Sequence, residues 1–374
     1  MPPLTYIEVD LDAVAHNAQA IKAHIGPHVH LIAVVKANAY GHGMVEVART
    51  ALQHGASWLA VGRVDEGIAL RDAGITAPIL VMGYTLPGDI EDAVVRALTL
   101  TVADLASVEA VSTLARRLGR IIPVHIKVDT GMGRFGVLPD EVLPFVARVS
   151  ALSGVRIEGL FTHFAVADLA DKEYTWHQFR VFQRVRVELE AAQYQIPVYH
   201  VANSAAMLDL PEMHLDAVRV GIALYGLPPS GEVATTVPLR PALSLKSHVA
   251  RVRTLPAGSS ISYGRTYITQ RDTPVALVPV GYGDGYHRVL SNRGMVLING
   301  RRAPIVGRIC MDQFVVDISQ VGPVELNSEV VLIGRQGDEC ITAEEVATWA
   351  ETINYEIVTG LSPRVPRLYV GAGV

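Results

Sequence analysis

The chain has 374 residues, half of them hydrophobic and 18% charged, with 32 Lys and Arg against 37 Asp and Glu. A net charge of -5 and the lack of a long basic run exclude the phosphate-neutralising footprint of a nucleic-acid binder, and the composition excludes disorder and collagen. Apolar runs such as 31–35 and 276–280 fall far short of the roughly 20 residues that span a bilayer, so no membrane partner is expected. Two cysteines, Cys310 and Cys340, cannot build a disulfide framework, and a start carrying Glu8, Asp10 and Asp12 does not read as a secretory signal. A cytoplasmic protein with one large and one smaller domain is expected.

In chain order, short β-branched runs alternate with segments of helical period from Leu31 to Gly221. Eight strands are predicted, over 31–36, 58–62, 79–82, 99–102, 122–129, 157–163, 198–201 and 218–221. Helices are predicted over 44–54, 65–73, 106–118, 141–151 and 174–193. Eight such units in about 200 residues are what a closed (β/α)8 TIM barrel needs. The alternative, an open doubly wound sheet, calls for a G-x-G-x-x-G turn after the first strand, and Gly41-His42-Gly43 lacks the third glycine. Beyond Pro238, predicted strands over 244–255, 274–280, 295–298, 314–318 and 329–333 follow one another with few helices. The expected architecture is therefore α/β, a (β/α)8 barrel over 1–237 followed by a smaller, mainly β domain over 238–374, with 228–241 as the linker.

In a barrel the reacting groups come from strand C-terminal ends and the loops beyond them. Lys36 ends the first strand, and two readings fit it: a stem that packs while the ammonium reaches solvent, or a Schiff-base lysine whose desolvation frees a neutral amine to attack an aldehyde. In the fifth strand His125, Lys127 and Asp129 share one face, and Arg134 follows in a glycine-rich loop. Arg134 suits either a substrate carboxylate or an ion pair with Asp129. His163 closes the sixth strand, as a core histidine or a site residue. Ser204 opens a short helix, as a cap or as an anion ligand, and Arg219-Val220-Gly221-Ile222 brings a glycine where backbone can approach a ligand. The loops after strands 7 and 8 are this fold's usual phosphate site. A lysine after strand 1 together with that phosphate site implies a phosphorylated aldehyde cofactor, pyridoxal 5'-phosphate.

Five segments in order then resemble the alanine racemase family of fold-type III pyridoxal-phosphate enzymes, over essentially the whole chain. They are 35–43 around Lys36, 127–134 with Arg134, 262–267 with Tyr263, 281–286, and 307–313 with Met311. The resemblance implies an isomerase that interconverts L-alanine and D-alanine by two-base proton transfer, supplying D-alanine for the cell wall, as a homodimer with shared sites. It makes Lys36 the cofactor lysine and Tyr263, from the partner subunit, the opposite base. It places Tyr40, Ser204, Gly221, Ile222 and Tyr355 around the phosphate, Arg219 at the pyridine nitrogen, and Arg134 with the Met311 backbone at the substrate carboxylate. It has His163 linking Tyr263 to Arg219, and the lysine matching Lys127 can be carbamylated in the family. No metal is implied.

Racemisation needs one group on each face of Cα, and a lysine and a tyrosine supply two different pKa classes. An arginine at the pyridine nitrogen leaves the ring neutral, a weak electron sink that disfavours transamination and decarboxylation. Three competing readings are a barrel-only cofactor-homeostasis protein, a barrel-type decarboxylase and a broad-specificity racemase. The second domain with Tyr263 argues against the first, Arg219 against the second, and the absent export signal against the third.

Overall fold

The computed structural model describes residues 3–234 and 236–371. They fall into two units, one of 13–39 with 44–240, the other of the residues up to Asp12 with 40–43 and those from Pro241 onward. The division thus lies after Arg240 rather than after residue 237. Residues 3–12 go with the second unit rather than with the barrel, because strand β1 (Thr5–Asp10) pairs antiparallel with Leu243–His248 and parallel with Arg367–Val370.

The first unit is a parallel barrel of eight strands: β2 (His30–Val34), β3 (Ala56–Val61), β4 (Ile79–Val81), β5 (Thr99–Val102), β6 (Ile122–Lys127), β7 (Val155–Phe161), β8 (Val198–His200) and β9 (Ala217–Val220). Neighbours pair in chain order from β2 to β8, and β9 returns to β2. The seam between β8 and β9 is closed by Asp216 N–H to Tyr199 O at 3.1 Å and Arg219 N–H to Ala202 O at 3.0 Å. All eight predicted strands are present, each shifted by a few residues at most. They were legible because a barrel strand is covered on both faces and so reads as a largely apolar run, as in the wholly buried β4.

Helices alternate with the strands on the outside. The helix Met44–Gln53 buries Val47, Ala48, Thr50 and Ala51, one stripe at helical spacing. The helix Leu105–Leu118 starts where the Asp104 side chain accepts the Ser107 N–H at 2.8 Å and stops at Gly119, left-handed at φ 61°, with Arg116 and Arg117 in the last turn.

The second unit is mainly β. Its larger sheet runs Arg301–Pro304, Met295–Ile298, Glu329–Gln336, Leu243–His248, β1 and Arg367–Val370. A three-stranded sheet joins Arg251–Leu255, Thr273–Val278 and Phe314–Asp317. The strand predicted over 244–255 is two strands, broken at Val249 and Ala250. Two helices not anticipated, Ala343–Ala350 and Asn354–Thr359, follow, the first capped by Thr342. Among the described residues no helix is long and apolar enough to cross a membrane.

Candidate active site

β2 ends at Val34, two residues before Lys36, because the chain then winds the wrong way for L-residues. Ala37, Asn38, Ala39 and Tyr40 have φ of 52°, 53°, 54° and 49°, a complete left-handed turn closed by Ala39 N–H to Val35 O at 2.8 Å. Such a conformation costs roughly 1–2 kcal/mol per residue, and only asparagine among these four tolerates it locally. Gly41 continues at φ 85°, where a Cβ would stand 2.1 Å from the Val358 carbonyl oxygen, so glycine is required there.

Lys36, Lys127, Arg134, His163 and Arg219 line one cavity of about 450 Å³, walled by Phe135 and Phe161. Four cationic side chains share it, and no carboxylate lines it. Lys36 is held below its ordinary pKa by burial and by the Arg134 charge, with Glu66 pulling the other way. Lys127 falls further, to about 8, through burial and the Arg134 and Arg219 charges. His163 is driven well below the usual histidine range by burial and then by Arg219, which keeps its ring neutral. A lysine whose neutral form is made more accessible and an anion-seeking cavity are the two properties that a carbonyl-bearing anionic ligand requires.

Arg134 does not pair with Asp129 through its guanidinium. The Asp129 carboxylate instead accepts the backbone N–H groups of Gly131, Gly133 and Arg134, each at 3.0 Å, which folds the glycine loop. Burial pushes the Asp129 pKa up, but those N–H bonds outweigh it and the net shift is downward. The Arg134 guanidinium has no hydrogen-bond or ion-pair partner among the described residues.

Arg219, 4% exposed, donates from Nη1 to His200 Nδ1 and to His200 O, and from Nη2 to Thr162 O and Val201 O, at 2.7 to 3.1 Å. Burial lowers it to about 9, so it stays charged at neutral pH. Arginine has no acceptor, so His200 Nδ1 must accept and its Nε2 carries the proton, donated to His125 Nδ1 at 2.8 Å. Both rings are buried and held neutral, and His200 stacks on Phe161 at 4.7 Å. The Arg219 Nε–H is left without a partner among the described residues. No hydrogen bond joins His163 to Arg219. The contact of His125 with His200 escaped the sequence reading of the site because β6 and β8 are not neighbours in the sheet, and only barrel curvature brings their inner faces together.

Ser204 is not the helix cap. Asn203 fills that role, accepting Ala206 N–H at 3.0 Å, while Ser204 Oγ accepts Gly221 N–H at 3.1 Å and reaches Ala223 N–H at 3.5 Å. The N–H of Ile222, itself 1% exposed, has no acceptor among the described residues. A buried hydroxyl beside a buried orphan N–H fits a phosphate oxygen.

In the second unit Tyr263 stands 69% exposed in the short turn Tyr263–Arg265, beside a cavity of about 540 Å³ that Ser262, Cys310, Met311 and Asp312 also line. Segments 281–286 and 307–313 meet there: Tyr282 N–H reaches Cys310 O at 3.1 Å and Gly283 N–H reaches Met311 O at 2.9 Å. The Met311 N–H is thereby left free among the described residues. Arg364 ties Asp284 and Asp312 together at 2.7 and 2.8 Å. Tyr40 and Tyr355, also in this unit, pack edge to face with centroids 6.2 Å apart, and burial raises Tyr40 to about 12, leaving it a neutral hydrogen-bond donor.

Residues 9–229 match the family model for the N-terminal domain of alanine racemase, and residues 242–369 that for its C-terminal domain. The chain belongs to the alanine racemase family. It is 50% identical to the alanine racemase of Desulfosudis oleivorans, over 97% of this chain and 96% of that one. Among solved structures, the Bacillus anthracis alanine racemase with bound L-Ala-P superposes with a TM-score of 0.94 at 43% identity, covering 100% and 97% of the two chains. The histidine racemase of Leuconostoc mesenteroides also superposes, with a TM-score of 0.91 at 31% identity over 99% of each. Membership of the alanine racemase family makes the chain an amino-acid isomerase, on a barrel followed by a mainly β domain.

Proposed function

We propose that this chain racemises alanine with pyridoxal 5'-phosphate, and that the three cations gathered around Lys36, in a cavity that no carboxylate of the described residues lines, carry that reading. When bound, the cofactor supplies the electron sink that makes the Cα proton of alanine removable. Everything else falls to the chain's own residues. Lys36 would hold the cofactor, and its amine would hold or take the proton on one face of Cα. Its lowered pKa suits a base near neutrality. Tyr263 serves the other face.

Ser204, Gly221 and Ile222 hold the phosphate, with Tyr40 and Tyr355 assigned to it as well. Arg219, whose Nε–H has no partner among the described residues, would face the pyridine ring, where a group that can only donate would favour an unprotonated nitrogen. Arg134 and the free N–H of Met311 bind the substrate carboxylate, a bidentate guanidinium and one backbone donor fixing its orientation. His163, close enough to Arg219 to feel its charge, is assigned the place between that arginine and Tyr263.

Tyr263 and Met311 are exposed in the single chain, 69% and 53%, which suits residues that complete a partner's site in a homodimer. The barrel is the cofactor domain and the β domain the donor of the tyrosine. Lys127, depressed to about 8, is reactive enough as a neutral amine to take up carbon dioxide, the new N–C bond releasing one proton and leaving a carbamate beside Arg134. The product D-alanine feeds the cell wall, and the two free cysteines suit a reducing cytoplasm.

The deciding experiment is a racemisation assay of the purified holoenzyme over alanine and a set of larger amino acids, histidine included. Alanine should be turned over with a kcat/KM at least tenfold above any other. Comparable rates for several side chains would replace this reading by the broad-specificity one, which the histidine racemase on the same fold keeps in view.

A further inference from the structure

The left-handed turn after Lys36 needs something to hold it. Val35 holds Ala39, and the Asn38 side chain accepts the Met44 N–H at 3.0 Å. The lysine's immediate neighbour is tied differently, because Ala37 N–H donates to Glu66 Oε1 at 2.6 Å. The other oxygen of that carboxylate, Oε2, accepts Gly62 N–H at 2.8 Å and Arg63 N–H at 3.2 Å. One carboxylate thus joins the end of β2 to the loop after β3. A Cβ built on Gly62 would lie 3.4 Å from Glu66 Oε2 and 3.7 Å from Lys36 Cβ, so the bare glycine backbone packs between the acid and the lysine stem. Read as sequence, Glu66 is only an acidic residue in the first turn of the helix Val64–Asp72.

The charges facing Lys36 sharpen the point. Arg134 comes from the loop after β6, Lys127 from β6 itself, Arg219 from β9 and the neutral His163 from the end of β7, with the phenol Tyr84 from the loop after β4. The only anion acting on Lys36 among these elements is Glu66.

We propose that Glu66 is a positioning residue for Lys36: its carboxylate pins the left-handed turn to the β3 loop, fixes the direction in which the lysine leaves its strand, and sets one negative charge against the cations around it. The inference rests on Lys36 being the cofactor lysine, and it goes beyond that reading by assigning the turn's geometry to a residue outside the cavity lining.

Two variants of the holoenzyme test it. Glu66→Gln is nearly isosteric, but it has one accepting oxygen where the carboxylate has two, so it cannot accept from Ala37 and from the Gly62–Arg63 pair together, and the charge is gone. The variant should keep the visible band of the lysine-bound cofactor, lose at least about tenfold in kcat with a smaller change in KM for alanine, and show the pH limb of kcat due to the lysine moved to lower pH. Adding Ala37→Gly should recover at least about threefold of that loss, because glycine adopts the left-handed conformation without the steric cost that the carboxylate offsets.

A residue that only caps its helix would lower the melting temperature without moving the pH limb and without responding to Ala37→Gly. That pattern overturns the proposal, as does unchanged kcat and an unmoved limb in Glu66→Gln. Persistence of the cofactor band in Lys36→Ala would instead overturn the assignment of Lys36 itself, so the two failures are told apart.

Discussion

Replacing Asp129 with alanine should separate the folding of the glycine loop from the chemistry of the site. The Asp129 carboxylate accepts three backbone N–H groups at 3.0 Å, from Gly131, Gly133 and Arg134. Hydrogen bonds to a charged group are worth about 1.5–3 kcal/mol each when the partner is left unsatisfied, but this loop is largely exposed and its N–H groups can turn to water. A total of about 1–3 kcal/mol is therefore expected, most of it felt as disorder of the loop that carries Arg134. If Arg134 holds the substrate carboxylate equally in ground and transition states, KM for alanine should rise about tenfold to a hundredfold with kcat within a few-fold, at about 1.4 kcal/mol per tenfold.

The same clamp has a pH signature. Its acid has a folded pKa below the unfolded value, so its stabilisation is present above the unfolded pKa and is lost as pH falls through the folded one. The difference in melting temperature between wild type and Asp129→Ala should stay constant from about pH 5 to 8 and shrink below about pH 4. Steady-state kinetics and thermal melts over pH read both quantities. A KM within twofold of wild type, together with an unchanged melting temperature, would refute the clamp.

Lys36→Ala should lose both the visible band of the bound cofactor and racemisation, since it removes the amine that forms the covalent link. Exchanged into heterodimers with Tyr263→Ala chains, it should regain activity at the one intact site; verified exchange without recovery would mean that each site is built within one chain. Tyr263→Phe should keep the cofactor band yet make solvent deuterium incorporation from L- and D-alanine unequal, because only one face loses its acid–base group, whereas equal loss from both would point to a single base. Lys127 should give a carbamate carbon resonance with ¹³C-labelled bicarbonate that disappears in Lys127→Gln; a spectrum identical for both proteins would rule the modification out.

Much of this was readable from the residue order alone, for physical reasons that differ from element to element. The barrel strands announced themselves because strands covered on both faces are largely apolar, and Lys36 and His163 stood out because polar groups at the ends of such strands are costly unless used. Other features depend on partners far apart in the chain, and no local pattern encodes those. β1 joins the second unit only because its ladder partners lie more than 230 residues away. The contact of His125 with His200 exists only once the sheet curves into a barrel. Whether Asp129 takes the Arg134 side chain or its backbone was decided by the loop's φ angles, with Gly131 and Gly133 at 131° and 68° turning their N–H groups inward. The left-handed turn at 37–40 is the sharpest case, since alanine, asparagine, alanine and tyrosine carry no collective preference for it. Its conformation is imposed by tertiary contacts such as Glu66, and only folding brings them together.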